Sequence, residues 1–94
     1  MEYRGHYELV ETVVFHRAMQ KLVRKKPDLI EQLDRGVRKI LAEPTLGKPL
    51  QNKLRDLRRI HIAGSFVLLY DITENIVRLI DFDHHDNIYK KYEG

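Results

Sequence analysis

Apolar residues in the first half of the chain recur with helical spacing. The segment Tyr7–Val14 is rich in β-branched and aromatic residues and predicts a first strand. From Phe15 onward the apolar positions recur at i, i+4, i+7 and i+8 up to the basic run 24–26, which predicts an amphipathic helix with cations at its C-terminus. Pro27 predicts the start of a second helix, whose apolar stripe continues until Pro44. Two helices joined this closely form an αα-hairpin.

The second half of the chain has the pattern of strands. Segment 43–53 contains two prolines and a glycine and predicts an irregular connector. Three strand-like runs follow, Arg58–Ala63, Phe66–Ile72 and Ile76–Phe82, and short turns between them predict an antiparallel meander. The continuous apolar run in the middle strand predicts burial on both faces of the sheet. The predicted order is β-α-α-β-β-β, an α+β fold in which the helix pair packs on one face of a small, mostly antiparallel sheet.

The composition of the chain limits the classes of protein to which it can belong. A chain of 94 residues with 43% hydrophobic content predicts a single domain, 1–94, with one core. The absence of cysteine excludes a disulfide framework, a thiolate metal site and a thiol nucleophile. No apolar run approaches the length of a signal peptide or membrane span, so we expect a cytoplasmic protein without a membrane partner. The net charge of +3 is compatible with a polyanionic partner but does not require one.

Polar and apolar side chains alternate along the first strand of the meander. Ile60 and Ile62 point to one face of the sheet, and Arg59 and His61 point to the other. If the isoleucines face the helices, the arginine and the histidine stand on the open face. This strand continues a basic segment that could bind phosphate groups or could be a solvated surface. Its candidate phosphate-binding residues are Lys48, Lys53, Arg55, Arg58 and Arg59.

The segment DHHDN (83–87) follows the third meander strand as a predicted loop. That strand runs parallel to the first, two strands away, so the loop and His61 should meet at the same end of the sheet, with roughly 10 Å between the backbones. Histidine can act as acid or base near neutral pH. RNA supplies its own nucleophile, the 2′-hydroxyl, so its cleavage needs only a base, an acid and cations. His61 and His85 could form that pair, with Arg59 and Lys53 as charge stabilisers.

Two other interpretations of DHHDN remain open. A metal site needs three or four suitably spaced ligands, and adjacent histidines on an extended chain point apart, so we expect neither a metal nor another cofactor. For the same reason only one of His84 and His85 should face the cleft that His61 lines. The segment could also be a polar sheet edge without a catalytic role. A serine nucleophile is disfavoured, because the only serine, Ser65, lies in a tight turn without a nucleophile-elbow sequence.

Several motifs together resemble a known family. The element order, the segment GKPL, the run RIHIAGSFVLLYDI and the ending DFDHHDNIY resemble the RelE/ParE superfamily of toxins from toxin–antitoxin modules. HIAGSFVLLY is most similar to the YafQ-type branch, and the resemblance spans residues 7–89. It implies a RelE-like toxin that cleaves mRNA on the ribosome without a cofactor and is inhibited by a cognate antitoxin protein. The alternatives are a ParE-type toxin that binds a topoisomerase, or a non-catalytic relative that only binds its antitoxin.

The resemblance also implies roles for single residues. His61 matches the first histidine of the YafQ-like branch, His85 the histidine four residues before the final aromatic, and Tyr89 that aromatic, which favours His85 over His84. These three are the predicted catalytic residues.

Two positions depart from the family pattern. Val67 stands where many relatives carry an arginine, and Ser65 stands where the YafQ-like branch has an acidic residue. The first departure removes an arginine that could bind phosphate, and the second removes a carboxylate that could orient a histidine.

Overall fold

The computed structural model describes residues 6–50 and 56–92. The elements in chain order are β1 (Glu8–Glu11), α1 (Val13–Lys25), α2 (Leu29–Ala42), a short 3-10 turn (Pro44–Leu46), β2 (Lys48–Pro49), β3 (Arg58–Ile62), β4 (Phe66–Thr73), β5 (Ile76–His84) and α3 (His85–Tyr92). The strands form one sheet in the order β1-β5-β4-β3-β2, in which β1 is parallel to β5 and the other pairs are antiparallel. The predicted α+β order is confirmed, with three elements added, the 3-10 turn, β2 and α3.

Thr12 sets the boundary between β1 and α1. Its hydroxyl accepts a hydrogen bond from the Phe15 N–H at 3.1 Å and donates one to the Leu79 carbonyl at 2.8 Å. A side chain that caps the first turn in this way ends the preceding strand. The strand predicted to reach Val14 therefore ends at Glu11, and the helix starts at Val13.

The second helix also starts later than predicted. It begins at Leu29, because Pro27 and Asp28 form a turn in which the Leu29 N–H bonds to the Lys26 carbonyl at 3.0 Å.

β4 is buried on both faces, as its apolar run predicts. Each of the residues 66–70 is buried. The main core lies between the sheet and the α1–α2 hairpin and includes Phe66, Leu68 and Tyr70. A smaller core lies on the opposite face, where Val67 and Leu69 pack against Ile88 of α3. The sheet is thus covered on one face by the hairpin and on part of the other by α3.

Tyr70 fixes the connector that leads into β2. Its hydroxyl donates to the Pro44 carbonyl at 2.6 Å and accepts from the Gly47 N–H at 2.8 Å, and both bonds are buried. A Cβ at Gly47 would lie 2.5 Å from the Tyr70 hydroxyl oxygen and 2.9 Å from the Arg59 carbonyl oxygen, so only glycine fits there. Burial raises the pKa of the Tyr70 hydroxyl, and the Gly47 hydrogen bond and the Arg58 charge partly oppose that rise. The connector thereby delivers Lys48 to its position opposite Arg59.

A bulge in β5 turns Asp81 toward α3. Leu69 pairs with Asp81 but Tyr70 pairs with Leu79, so Ile80 is an extra residue in β5. The Asp81 carboxylate is buried and accepts hydrogen bonds from Lys91 Nζ at 2.7 Å, the Tyr92 hydroxyl at 2.8 Å and the Phe82 N–H at 2.8 Å. Burial and the bond to Asp81 raise the pKa of the tyrosine hydroxyl. These bonds hold α3 on the sheet.

The prediction of a loop after Phe82 is wrong. β5 continues to His84, and residues 85–92 are helical. None of the helices within the described ranges 6–50 and 56–92 has the length and apolar character that a membrane span requires.

Candidate functional site

His84 and His85 stack on each other where β5 passes into α3. Their ring centroids are 4.4 Å apart, and the planes are inclined by 33°. His84 is the last strand residue and His85 the first helical one, so the alternation of side chains along a strand stops between them. The prediction that the two side chains point to opposite faces is therefore wrong. Both imidazoles lie together at the junction of β5 and α3.

The two imidazoles are the middle of a row of four rings. The His84 ring lies 5.8 Å from that of Phe66, and the His85 ring lies 6.2 Å from that of Tyr89. We call Phe66, His84, His85 and Tyr89 the aromatic row. It runs from the main core around the end of the sheet to the α3 face, where the Arg59 guanidinium lies 5.7 Å from the Tyr89 centroid. That distance is within the range of a cation–π contact.

Asp86 contacts Nδ1 of both imidazoles, one through an acceptor group and the other through a donor group. Its carboxylate oxygen lies 3.0 Å from Nδ1 of His85, and its backbone N–H donates to Nδ1 of His84 at 3.2 Å. The carboxylate favours a proton on Nδ1 of His85, which leaves Nε2 of that neutral ring as an acceptor. In neutral His84, Nδ1 accepts and the proton is on Nε2. One ring thus presents a base, and its neighbour presents a donor.

His61 lies at the same end of the sheet as the histidine pair. It is paired with Val67, which is paired with Asp83, so two strand spacings separate His61 from the residue before His84. The Ser65 carbonyl accepts a hydrogen bond from the His85 N–H at 2.9 Å, which ties the β3–β4 turn to the start of α3. The predicted convergence of the two histidine sites is confirmed at the level of the backbone, and the His61 side chain is exposed.

The predicted faces of β3 are also confirmed. Ile60 and Ile62 pack against the hairpin core, where both approach Gly36, and the Arg59 guanidinium lies over Tyr89 on the other face.

The structure brings only part of the basic segment together. Lys48 pairs with Arg59 and shares its face. Arg58 lies on the hairpin face, where its guanidinium donates to the Gly47 carbonyl at 2.7 Å. Lys53 and Arg55 lie outside the described residues.

Comparison with known proteins identifies the family. A family model described as a ParE-like toxin of type II bacterial toxin–antitoxin systems matches residues 9–93. The chain belongs to this family. A relative from Methanocaldococcus jannaschii that carries the name toxin RelE4 is 37% identical over 87 residues, which cover 90% of this chain and 93% of the relative. The family resemblance inferred from the sequence motifs is thus confirmed.

Solved structures confirm the fold of the toxin. YafQ from Escherichia coli BL21(DE3) is similar with a TM-score of 0.69 and 19% identity, over 89% of this chain and 99% of YafQ. The E. coli DinJ–YafQ toxin–antitoxin complex gives 0.70 and 19% identity, over 88% of this chain and 97% of the matched chain. The RelBE2 toxin–antitoxin complex of Mycobacterium tuberculosis gives 0.65 and 26% identity, over 83% and 96%. The protein is a type II toxin with the RelE/YafQ fold.

The two departures from the family pattern have structural counterparts in this toxin. Val67 is fully buried and packs with Ile88 of α3, so an apolar contact fills this position. Ser65 is exposed, and its carbonyl holds the start of α3. Asp86 places a carboxylate beside the histidines from a different element. Sequence reasoning preferred His85 over His84 and assigned no role to Asp86, although an acidic residue in a first helical turn is a recognisable signal.

Proposed function

We propose that the toxin is an endoribonuclease that cleaves mRNA on the ribosome, and that a cognate antitoxin protein inhibits it. The observation that carries this proposal is the stacked pair His84–His85, which Asp86 orients, in a row that ends beneath Arg59. Family membership supports the toxin role. The DinJ–YafQ and RelBE2 structures are complexes of toxins with antitoxins, which supports an antitoxin as partner.

In the proposed reaction, Nε2 of His85 removes the proton from a ribose 2′-hydroxyl. The 2′-oxygen forms a bond to the adjacent phosphorus, and the bond from phosphorus to the 5′-oxygen breaks. Protonated His61 gives its proton to that leaving oxygen, which leaves a 2′,3′-cyclic phosphate and a 5′-hydroxyl. No metal takes part, because the ribose supplies the nucleophile and imidazoles move both protons.

Cations and the aromatic row support this reaction. Arg59 and Lys48 share one face of the sheet and would stabilise the charge that develops on the phosphate oxygens. Tyr89 contacts both His85 and Arg59, so it would hold the base and the cation in a fixed relation. Lys53 and Arg55 remain predicted phosphate contacts. Arg58 is bound to a backbone carbonyl and would contribute by holding the connector.

The test is cleavage of mRNA on programmed ribosomes by purified toxin, with cuts mapped by primer extension and termini analysed by mass spectrometry. His85→Ala should lower the rate about 10²- to 10⁴-fold, the usual contribution of one positioned proton-transfer group. His84→Ala should also lower it, because the ring that stacks on His85 is lost. His16→Ala is the control, since His16 is an exposed α1 histidine that pairs with Glu11 at 3.3 Å. Toxin treated with chelator and returned to magnesium buffer should cleave at an unchanged rate.

A second candidate function follows from the family description, which names ParE-like toxins. In that case the toxin would bind a topoisomerase and would not need the histidines. Expression without antitoxin would then abolish supercoiling activity and leave mRNA intact, and His85→Ala would remain toxic. Discrete cuts in mRNA with unchanged supercoiling support the endoribonuclease.

A further inference from the structure

His84, His85 and Asp86 also have the composition and spacing of a metal-ligand set. Each offers one ligand atom, and the three atoms lie within 4.8 Å of one another. The Asp86 carboxylate is 3.0 Å from Nδ1 of His85 and 3.8 Å from Nδ1 of His84. In a tetrahedral site with metal–ligand bonds of about 2.0–2.1 Å, neighbouring ligand atoms are about 3.3–3.4 Å apart. The two observed distances bracket that value, and an ion bound at Nδ1 of His84 would displace the hydrogen bond that this atom accepts from the Asp86 N–H.

The surrounding backbone holds this ligand set in place. An Asp83 carboxylate oxygen accepts from the His84 N–H at 2.7 Å and from Nδ2 of Asn87 at 3.2 Å, and the His85 N–H is bonded to the Ser65 carbonyl. The stacked rings restrict each other further. Partners of this kind around ligating residues raise metal affinity by orienting the ligands. Asp83 also adds a second negative charge beside the site.

We propose that His84, His85 and Asp86 bind a divalent transition metal of the zinc or copper class, and that the bound metal inhibits the toxin. Two imidazoles and one carboxylate suit these ions, whereas magnesium and calcium prefer all-oxygen ligands. The three side chains are partly exposed, so an ion can reach them from solvent and keep water at its remaining position.

The inhibition follows from the tautomers and rests on the proposed function. A metal bound at Nδ1 of His85 leaves the remaining ring proton on Nε2. That nitrogen then cannot accept the 2′-hydroxyl proton. The metal also occupies the Asp86 carboxylate, which otherwise favours the basic Nε2. The bound ion would therefore prevent the His85 imidazole from accepting the proton.

The test is titration of the full-length toxin with zinc chloride in an isothermal calorimeter. We expect one zinc per chain, and at least a 10-fold loss of affinity in His84→Gln and in Asp86→Asn. The control is His16→Ala, which removes an α1 histidine that pairs with Glu11 and should leave zinc affinity unchanged. Thermal melts of the zinc-free variants verify that a loss of binding does not reflect unfolding.

Zinc affinity that is absent in the wild type, or equal in wild type and both site variants, would overturn the site. Affinity that falls in His16→Ala would place the ion elsewhere and would also overturn it. In the cleavage assay, saturating zinc should stop the wild-type toxin, and undiminished cleavage with zinc bound would overturn the inhibitory role. The calorimetric result does not depend on nuclease activity, so failure of the proposed function and failure of the metal site are distinguishable.

Discussion

Asp81→Asn should release α3 from the sheet. The Asp81 side chain is 1% exposed and accepts hydrogen bonds from Lys91, from Tyr92 and from the Phe82 N–H. Asparagine keeps the shape of the side chain but has one accepting oxygen in place of two, and it has no charge. The amide group therefore cannot satisfy both the α3 side chains and the backbone N–H.

The magnitude of this effect follows from the contacts that are lost. Removing one partner of a buried ion pair costs about 3–5 kcal/mol when the other charge stays buried. Lys91 is 48% exposed, so water can solvate its ammonium group, and the cost falls below that range. A lost hydrogen bond to a charged group is worth about 1.5–3 kcal/mol. We expect about 2–4 kcal/mol, which corresponds to an increase of about 30- to 700-fold in the opening equilibrium of α3.

Amide hydrogen exchange measures this opening. The Ile88 amide should exchange faster in Asp81→Asn, β4 amides should change less, and cleavage should fall because α3 carries His85 and Tyr89. The control is Asp34→Asn, which removes an exposed i,i+4 pair with Arg38 at 2.6 Å and should cost only about 0.3–0.5 kcal/mol. If the two variants show the same exchange of α3, Asp81 does not anchor the helix.

Three further predictions concern the connector and the basic face. Gly47→Ala should lower the free energy of unfolding by about 1–3 kcal/mol in thermal melts, because the added Cβ would lie 2.5 Å from the Tyr70 hydroxyl; an unchanged melt would contradict this. Tyr70→Phe should cost about 1–3 kcal/mol, since the buried Pro44 carbonyl and Gly47 N–H lose their partner. Burial raises the Tyr70 pKa, so wild type should lose stability above about pH 10, the pKa of unfolded tyrosine, and the variant should lose less. Arg59→Ala should reduce the salt slope of RNA binding by about 0.7, the value for one single-strand phosphate contact, whereas Arg58→Ala should lower stability and leave the slope unchanged.

Local patterns were sufficient to predict the meander and its faces. Alternation along β3 places Arg59 and His61 on one face, and the short turns leave no other pairing for β4. Because β3 and β5 both pair with β4, topology alone brings His61 and Asp83 to the same end.

α3 could not be predicted from its own sequence. Ile88 is the only residue of the helix that is fully buried, and the rest of the segment is as polar as a loop. What fixes the helix is Asp81, which lies ten residues before Lys91 and faces α3 only because of the extra residue Ile80. A bulge of this kind interrupts the alternation of side chains between the two faces of a strand, and a prediction of faces from sequence depends on that alternation.

The arrangement of the two histidines depends on the same boundary. An extended chain through DHHDN separates the rings, and a change to helix between His84 and His85 stacks them. The position of a helix start is the least certain part of a sequence prediction. The contacts of Asp86 with both histidines could not be predicted for the same reason.

The parallel pairing of β1 with β5 sets the order in which the chain can fold during synthesis. Glu8 pairs with Ile76, and a chain elongated at about 5–20 residues per second takes roughly 3–14 s to pass from one to the other. The hydrogen bonds within α1 and within α2 are local and can form during that interval, but β1 and the buried face of α1, which packs mainly on β5, have no partner until β5 emerges. His61 of β3 is translated before β5, whereas His84 and His85 are translated only as β5 is completed. The nascent toxin can therefore form α1 and α2 before β1 has a strand partner and before His84 and His85 have been translated.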